Sequence, residues 1–212
     1  MKKVTVLCSD PRHPVNVPLD RWSKEVAPVA DVQIIRTVAE ARGGDFLFLV
    51  ACQEIVRAEA RSRYRHTLVL HASALPTGRG MSPHVWQLLD GQTELTMTLL
   101  NAADPVDSGD IWRQVSFNVP RSATFGEINA RLFDTQIELM SWALQNCDRH
   151  TPTQQQGTPS YYRRRTPADS EIDPRRPLMD SFDLLRLADP ARYPAYFTLH
   201  DRKFRITIEP MP

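Results

Sequence analysis

Cysteine is scarce in this 212-residue chain, and its three copies, Cys8, Cys52 and Cys147, form no CxxC pair and no ligand spacing with histidine. That excludes a disulfide framework and a zinc-type site, and points to three reduced thiols in a cytosolic protein. An excess of charge of one sign is also missing. Lys plus Arg number 26 against 25 for Asp plus Glu, a net charge of +1. Such a balance does not make a general nucleic-acid or membrane surface. The start, MKKVTVLCSD, has two lysines but only a short apolar run before Ser9 and Asp10. It is too short for a signal peptide or a membrane span and reads as a first core strand. Neither GxGxxG nor GxxxxGK[ST] occurs, so service to NAD or ATP in the usual way is not expected. No internal repeat is visible.

What is present is an alternation. The segments 4–9, 32–37, 45–51, 67–73, 94–100 and 110–120 are apolar or β-branched and read as strands. DFLFLVA (45–51) is a continuous apolar run of the kind buried on both sheet faces. Between them lie helical stretches: LDRWSKEVA, QEIVRAEARSRY, and VWQLLD (85–90) with Pro83 in its first turn, Ser82 as N-cap and Gly91 as C-cap. The longest helix is expected over about 122–147, where Phe133, Ile137, Met140 and Leu144 recur at spacings of three and four. Strand–helix alternation implies an α/β fold with a doubly wound, mostly parallel, Rossmann-like sheet. Residues 1–150 would form this α/β domain. Residues 151–212 would be a small appendage: a polar linker (151–159), an Arg-rich loop (161–174), a helix (177–189) and a terminal hairpin turning near Asp201-Arg202. Most of the 17 prolines fall in loops and in this last third.

In open α/β sheets, ligands bind beyond the carboxyl ends of the strands. His71 ends the apolar run LVLH, and Asp107 follows the 94–100 strand. Both reach one crevice if those strands are neighbours. A carboxylate beside an imidazole raises its basicity and fixes its tautomer. Such a pair can deprotonate an incoming amine. On the residues alone, a structural histidine and a plain turn aspartate before Ser108-Gly109 stay open.

The order of the whole stretch narrows this. His71, Ser73, Leu75-Pro76, Arg79-Gly80, Pro83 opening a helix, Gly91 after it, and then Asp107-Ser108-Gly109-Asp110-Ile111 resemble the signature of the formyltetrahydrofolate-dependent formyltransferases. A second stretch, Arg164-Arg165-Thr166-Pro167-Ala168-Asp169 through Ile172-Asp173, is similar to the loop that follows the catalytic domain in transfer-RNA and nucleotide-sugar formyltransferases. The resemblance implies 10-formyltetrahydrofolate as co-substrate and no metal. The pterin would lie along Val50, Cys52, Gln53, Ile55, Leu100, Asn101 and Asp104, held largely by backbone polar groups. A primary amine attacks the formyl carbon, and a tetrahedral oxyanion forms and collapses to the N-formyl product. His71 would be base or proton shuttle, and Asp107 would orient it.

One position departs from the family. Its motif is Asn-x-His, with the amide polarising the formyl oxygen, and here that residue is Val69. Three consequences are open: another donor (a backbone N–H, Gln53, Asn101 or a doubly protonated His71), a slower enzyme, or an impaired homologue that still binds folate or a sugar nucleotide. The short chain with an HxSxLPxGRG stretch and YYRRRTPADSEID is most similar to formyltransferases of pseudaminic-acid-type pathways. The implied acceptor is a UDP-linked 4-amino-4,6-dideoxy sugar. Ending at 212, the chain is expected to lack an RNA-binding barrel, and no nucleic-acid or membrane partner is expected. A cytoplasmic location and a homodimer through the terminal hairpin and helix are further expectations. An amino acid or other small amine is the alternative acceptor. Acceptor contacts would come from Ser9, Asp10, His13, Ser73, Arg79, Gly80 and Arg165. For Ser9 to His13 the alternative is a Pro-stiffened connector, and for Arg79 a loop brace. Arg163 to Arg165 face a pyrophosphate or are a solvated run. Tyr161 and Tyr162 stack on a uracil or anchor the linker. His84 is expected on the helix surface and Trp86 in the core.

Overall fold

A computed structural model describes residues 1–211. Its main sheet has six strands, β1 (Lys2–Leu7), β2 (Ala30–Ile35), β3 (Gly44–Leu49), β4 (Tyr64–His71), β6 (Glu94–Asn101) and β7 (Ile111–Asn118). A short β5 (Arg79–Gly80) lies outside it, and the sheet order is β2-β1-β3-β4-β6-β7. The pairs β1–β2, β1–β3 and β3–β4 are parallel, whereas β6 is antiparallel to both β4 and β7. Five strands therefore run one way and one against them. This is the mostly parallel α/β sheet that strand–helix alternation implies, with a reversal that periodicity does not encode.

The helices are α1 (Asn16–Glu25), α2 (Ala58–Arg61), α3 (Pro83–Leu89), α4 (Phe125–Asn146) and α5 (Leu178–Leu187). Thr124 and Glu127 open α4 with a capping box: the Glu127 carboxylate accepts from the Thr124 N–H at 2.8 Å and from its hydroxyl at 2.9 Å. Gly91, at φ +82°, ends α3 in the left-handed conformation that glycine adopts without strain. Ser82 is not the expected side-chain cap. It is left-handed itself (φ +49°), and its hydroxyl makes no capping bond. The expected helix over QEIVRAEARSRY shrinks to four residues, because 52–57 form a loop over the sheet edge.

The apolar run of β3 is buried on both faces. Phe46 and Phe48 join Val4, Val6, Leu68 and Leu70 under α1 and α4, where Phe133, Met140 and Leu144 are buried and Ile137 half-buried. Leu47 and Leu49 join Leu7, Ile35, Val56, Ala60 and Tyr64 on the other face. Trp22 ties α1 to both neighbours, with its ring edge-on to Phe48 at 6.0 Å and its Nε1–H donating to Ser141 Oγ at 2.9 Å. The three cysteines are free thiols, Cys8 and Cys147 buried. No helix among the described residues is long and apolar enough to cross a membrane.

The segment expected as a linker is stitched to the start of β7 and, through its continuation, to β5. Thr153 pairs with Ile111 by two backbone bonds, of 2.7 and 2.8 Å. β8 (Tyr161–Tyr162) pairs in parallel with β5. The hairpin of β9 (Ala195–Leu199) and β10 (Arg202–Ile206) turns on His200 and Asp201, both left-handed as a tight two-residue hairpin demands. α5 is locked by Arg186, which is buried and donates to Asp183 at 2.6 Å and to the Ala123 carbonyl at 3.2 Å.

Trp22→Ala should cost about 3–5 kcal/mol of stability, since it deletes a large side chain shared by three elements. Urea unfolding followed by circular dichroism measures this, with the midpoint falling and the slope unchanged.

Candidate active site

β4 delivers His71 at its carboxyl end. Because β6 runs the other way, Asp107 does not reach His71 from a neighbouring strand end as the sequence suggests. Asn101, the last residue of β6, pairs with Leu68, three residues short of His71. The 102–110 loop has to double back. It is held by the Ala102 N–H on the Thr67 carbonyl (2.8 Å) and the Asn101 N–H on the Asp110 carbonyl (2.9 Å). Gly109 makes the return possible, since a Cβ there would lie 2.0 Å from the Asn101 carbonyl oxygen. Asp107 itself is left-handed, with φ +60°, a sparsely populated conformation for a residue with a side chain.

The result is a buried pair. His71 Nδ1 lies 3.6 Å from Asp107 Oδ1, with the side chains 7% and 6% exposed. Asp107 Oδ2 accepts from the Gly80 N–H at 2.9 Å. His71 Nε2 is 2.8 Å from the Gly78 carbonyl. A carbonyl only accepts, so Nε2 carries the proton, and Nδ1, facing the free Asp107 oxygen, is the nitrogen open to take one. This fixes the tautomer that the sequence left unassigned.

More histidine surrounds the pair. His84, the second residue of α3, is half-buried near His71 and His13 rather than on an open helix surface, and burial lowers its pKa to about 4. His13 accepts from the Val15 N–H through Nδ1 at 3.2 Å, and burial, then the Arg192 guanidinium, bring it to about 4 as well. Both rings are neutral at pH 7. Arg192 reaches back from the appendage to Asp10 at 3.2 Å and holds Asp189 at 2.7 Å. The Arg12 N–H and then Arg192 keep the Asp10 carboxyl below its usual range.

The formyl transferase family pattern matches residues 12–144, more than half of the chain. The chain belongs to the formyl transferase family. Methionyl-tRNA formyltransferase of Clostridium acetobutylicum is 29% identical over 111 residues, covering 52% of this chain and 36% of that protein. That of Protochlamydia amoebophila is 27% identical over 112 residues, covering 52% and 35%. The matched segment thus spans about a third of these curated relatives. Among solved structures, methionyl-tRNA formyltransferase from Clostridium thermocellum superposes with a TM-score of 0.85 at 21% identity, covering all of this chain and 94% of that one. HypX from Aquifex aeolicus in complex with tetrahydrofolic acid gives 0.81 at 18%, covering 98% and 37%. A sugar N-formyltransferase from a Shewanella species gives 0.76 at 16%, covering 100% and 99%. At these identities the structures speak for the formyl transferase fold.

Within this formyl transferase the expected folate-contacting residues divide between the two faces of the sheet. Leu100 is opposite Val69, and with Cys52, Leu49 and Ala102 they make an apolar wall on the His71 face. Asn101 is on the other face, its side-chain carbonyl accepting from Trp112 Nε1 at 2.7 Å, which removes it as a substitute for the amide at 69. Val50 is fully buried among the residues under the helices. Asp104 is ion-paired with Arg61, which lowers its pKa, and Ile55 and Gln53 are exposed. Ser9 Oγ accepts from the Gln53 N–H at 3.1 Å and ties the loops after β1 and β3 together. A cavity of about 560 Å3 opens where β4 begins, among Arg61, Arg65, His66, Asn101 and Asp104, and takes in neither His71 nor Asp107.

The acceptor set is also redistributed. Arg79 is buried and donates to Gln155 Oε1 at 2.6 Å and to the Tyr161 hydroxyl at 3.3 Å, so it braces the loop. Ser73 is 1% exposed, with its hydroxyl unpartnered beside Gly78. Gly80 lies so close to β8 that a Cβ would sit 2.3 Å from the Tyr162 carbonyl oxygen. Arg163 is committed to Asp169 and lies 4.7 Å from the Trp86 ring, while Tyr162 stacks on Trp86 at 6.3 Å. Trp86 is therefore an anchor for the Arg-rich loop, not core. Arg165 donates to the Asp169 carbonyl at 3.0 Å and keeps a buried Nε without a partner. Gln155, Arg192 and the placing of His84 are what sequence reasoning missed. Gln155 is the middle of three glutamines, and nothing in the pattern singles it out.

The neutral His13 and His84 make stability depend on acid. In the folded chain each takes its proton only near pH 4, and in the unfolded chain near 6.5. Unfolding therefore binds protons between those values, and stability falls as pH drops from about 6.5 to 4, by about 2–3 kcal/mol for each ring. Chemical denaturation at stepped pH should show this slope, and His84→Gln should remove close to half of it.

Proposed function

We propose that this chain transfers a formyl group from 10-formyltetrahydrofolate to the primary amine of a nucleotide-linked 4-amino-4,6-dideoxy sugar. The observation that carries the chemistry is the buried His71–Asp107 pair, with one nitrogen and one carboxylate oxygen left facing each other. When bound, 10-formyltetrahydrofolate supplies the carbon that is transferred. The residues present suit it: a flat heterocycle finds the half-buried apolar strip of Cys52, Val69 and Ala102 between the loops after β3 and β6.

The chain's own task is to move a proton. An amine attacking a carbonyl carbon must lose one as its nitrogen becomes an amide nitrogen. His71 Nδ1 takes it, since Nε2–H is held by the Gly78 carbonyl. The imidazolium then stands beside Asp107, whose charge stabilises it where water is nearly excluded, until the proton passes to the folate nitrogen that leaves as its bond to the formyl carbon breaks. Gly80 prevents the carboxylate from turning away by occupying Oδ2. The Arg165 guanidinium, whose charge acts on His84, keeps a buried Nε without a partner, which suits it to a phosphate of the acceptor. The sugar-nucleotide reading is supported by the resemblance over Arg164 to Asp173 and by a net charge of +1.

Purified protein with 10-formyltetrahydrofolate and a UDP-4-amino-4,6-dideoxy sugar should release tetrahydrofolate, followed by absorbance, with the N-formyl sugar seen by mass spectrometry. His71→Ala and Asp107→Asn should each lower kcat by about 10²–10⁴. Turnover unchanged by both sinks the mechanism. Transfer to methionyl-tRNA or a free amino acid instead sinks the acceptor assignment. Val69→Asn should raise kcat by roughly tenfold or more, because it adds an amide donor to the wall. It should also lose about 1–3 kcal/mol of stability, because that amide lies among Leu49, Leu100 and Cys52.

A further inference from the structure

We propose that Gln155, acting with Arg79, is a positioning residue for the His71–Asp107 pair, a strut from the segment after α4 that fixes where the carboxylate stands. The inference rests on the formyl-transfer reading for its kinetic consequence, but its geometry is independent of substrate. The Gln155 side-chain nitrogen donates both protons to backbone carbonyls, those of Asp107 and Gly109, each at 2.8 Å. Its oxygen accepts from the Arg79 guanidinium at 2.6 Å. Only a primary amide offers two donors and an acceptor in that arrangement; a carboxylate would place oxygen against two carbonyl oxygens.

These bonds close a ring. Arg79 and Gly80 are adjacent in the chain: Gly80 N–H holds Asp107 Oδ2, and the Arg79 side chain holds the glutamine that holds the Asp107 carbonyl. Asp107 is thus gripped at side chain and backbone from one dipeptide. The grip is needed because the residue is left-handed, a conformation that a free loop aspartate leaves. The separation it sets matters too. At 3.6 Å the Nδ1–Oδ1 contact is just beyond a hydrogen bond, so a small displacement of the loop changes how strongly the carboxylate acts on the ring. The flanking bonds repeat the pattern. Thr153 pairs with Ile111 on one side, and on the other Ser160 accepts from the Gly78 N–H through Oγ and from the Arg79 N–H through its carbonyl, both at 2.9 Å. The segment 153–162 thereby touches both halves of the catalytic pair's support. Gln155 is only half-buried on this surface strap, so its replacement does not open the core.

The test uses the intact chain with Gln155→Leu, which removes the bonds at similar size, and Gln155→Glu, which keeps a partner for Arg79. In the free protein, the ring-nitrogen resonances of His71, read by 15N NMR, should move in both variants toward their positions in Asp107→Asn. In turnover, kcat should fall by about 10–100-fold while KM for donor and acceptor stays within about threefold. Introduced into Asp107→Asn, either substitution should change the residual rate by less than about twofold, since what it positions is already gone. Unmoved His71 resonances in folded variants, or equal loss of rate in both backgrounds, overturn the proposal. If the wild-type chain formylates no amine, the functional reading fails while the NMR comparison still decides the strut. Should neither Gln155 variant fold, Arg79→Met cuts the same ring from its other side and is read the same way.

Discussion

The hydrogen bond from the Gly80 N–H to Asp107 Oδ2 joins two loops that the sheet by itself keeps apart. β4 and β6 are neighbours but opposed, so their carboxyl ends point to opposite edges. A histidine on one and an aspartate after the other meet only if the second loop runs back along the first strand. Three features of 101–110 serve that return: the Asn101–Asp110 bond, the absence of a Cβ at Gly109 and the left-handed Asp107. The loop that receives it is equally constrained, since Gly80 is pressed against Tyr162. The motif glycines are thus contact points, places where one backbone approaches another too closely for any side chain.

That explains what could be read in advance. Strand positions followed from apolar runs, and the face of α4 followed from Phe133, Met140 and Leu144, because burial imposes a period on the sequence. His71 and Asp107 were legible because the residues between them form a pattern that resembles a known family. The direction of β6 was not, since parallel and antiparallel strands buried on both faces have the same composition. The role of 151–159 was not legible either. A polar, Pro- and Gly-containing stretch reads as a linker, and its hydrogen bonds go to backbone atoms far away in the chain, which leave no trace in local pattern.

Arginine shows the same limit from the other side. Arg79 and Arg163 look like phosphate ligands in one dimension, yet Gln155 and Tyr161 occupy the first, and Asp169 and Trp86 the second. A guanidinium with five donors is as useful for tying three segments together as for holding an anion. Where its terminal nitrogens already hold partners built into the chain, bracing is the better account.

The electrostatic character of the site follows from these commitments. His84 stands close enough to both His71 and His13 to feel their charge, and burial keeps His13 and His84 neutral at pH 7. On the proposed reading, a proton arriving at His71 Nδ1 meets the Asp107 carboxylate with no imidazolium at His84 to oppose it. The Val69 wall acts in the same direction. With Leu49 and Leu100 beside it in the sheet, an apolar residue at 69 lowers the local dielectric next to the pair, strengthening the Asp107–imidazolium attraction, while giving up a donor for the formyl oxygen. On the formyl-transfer reading proposed above, such a site would favour the proton-transfer half of the reaction at the expense of polarising the carbonyl, a balance suited to an amine that must first be discharged.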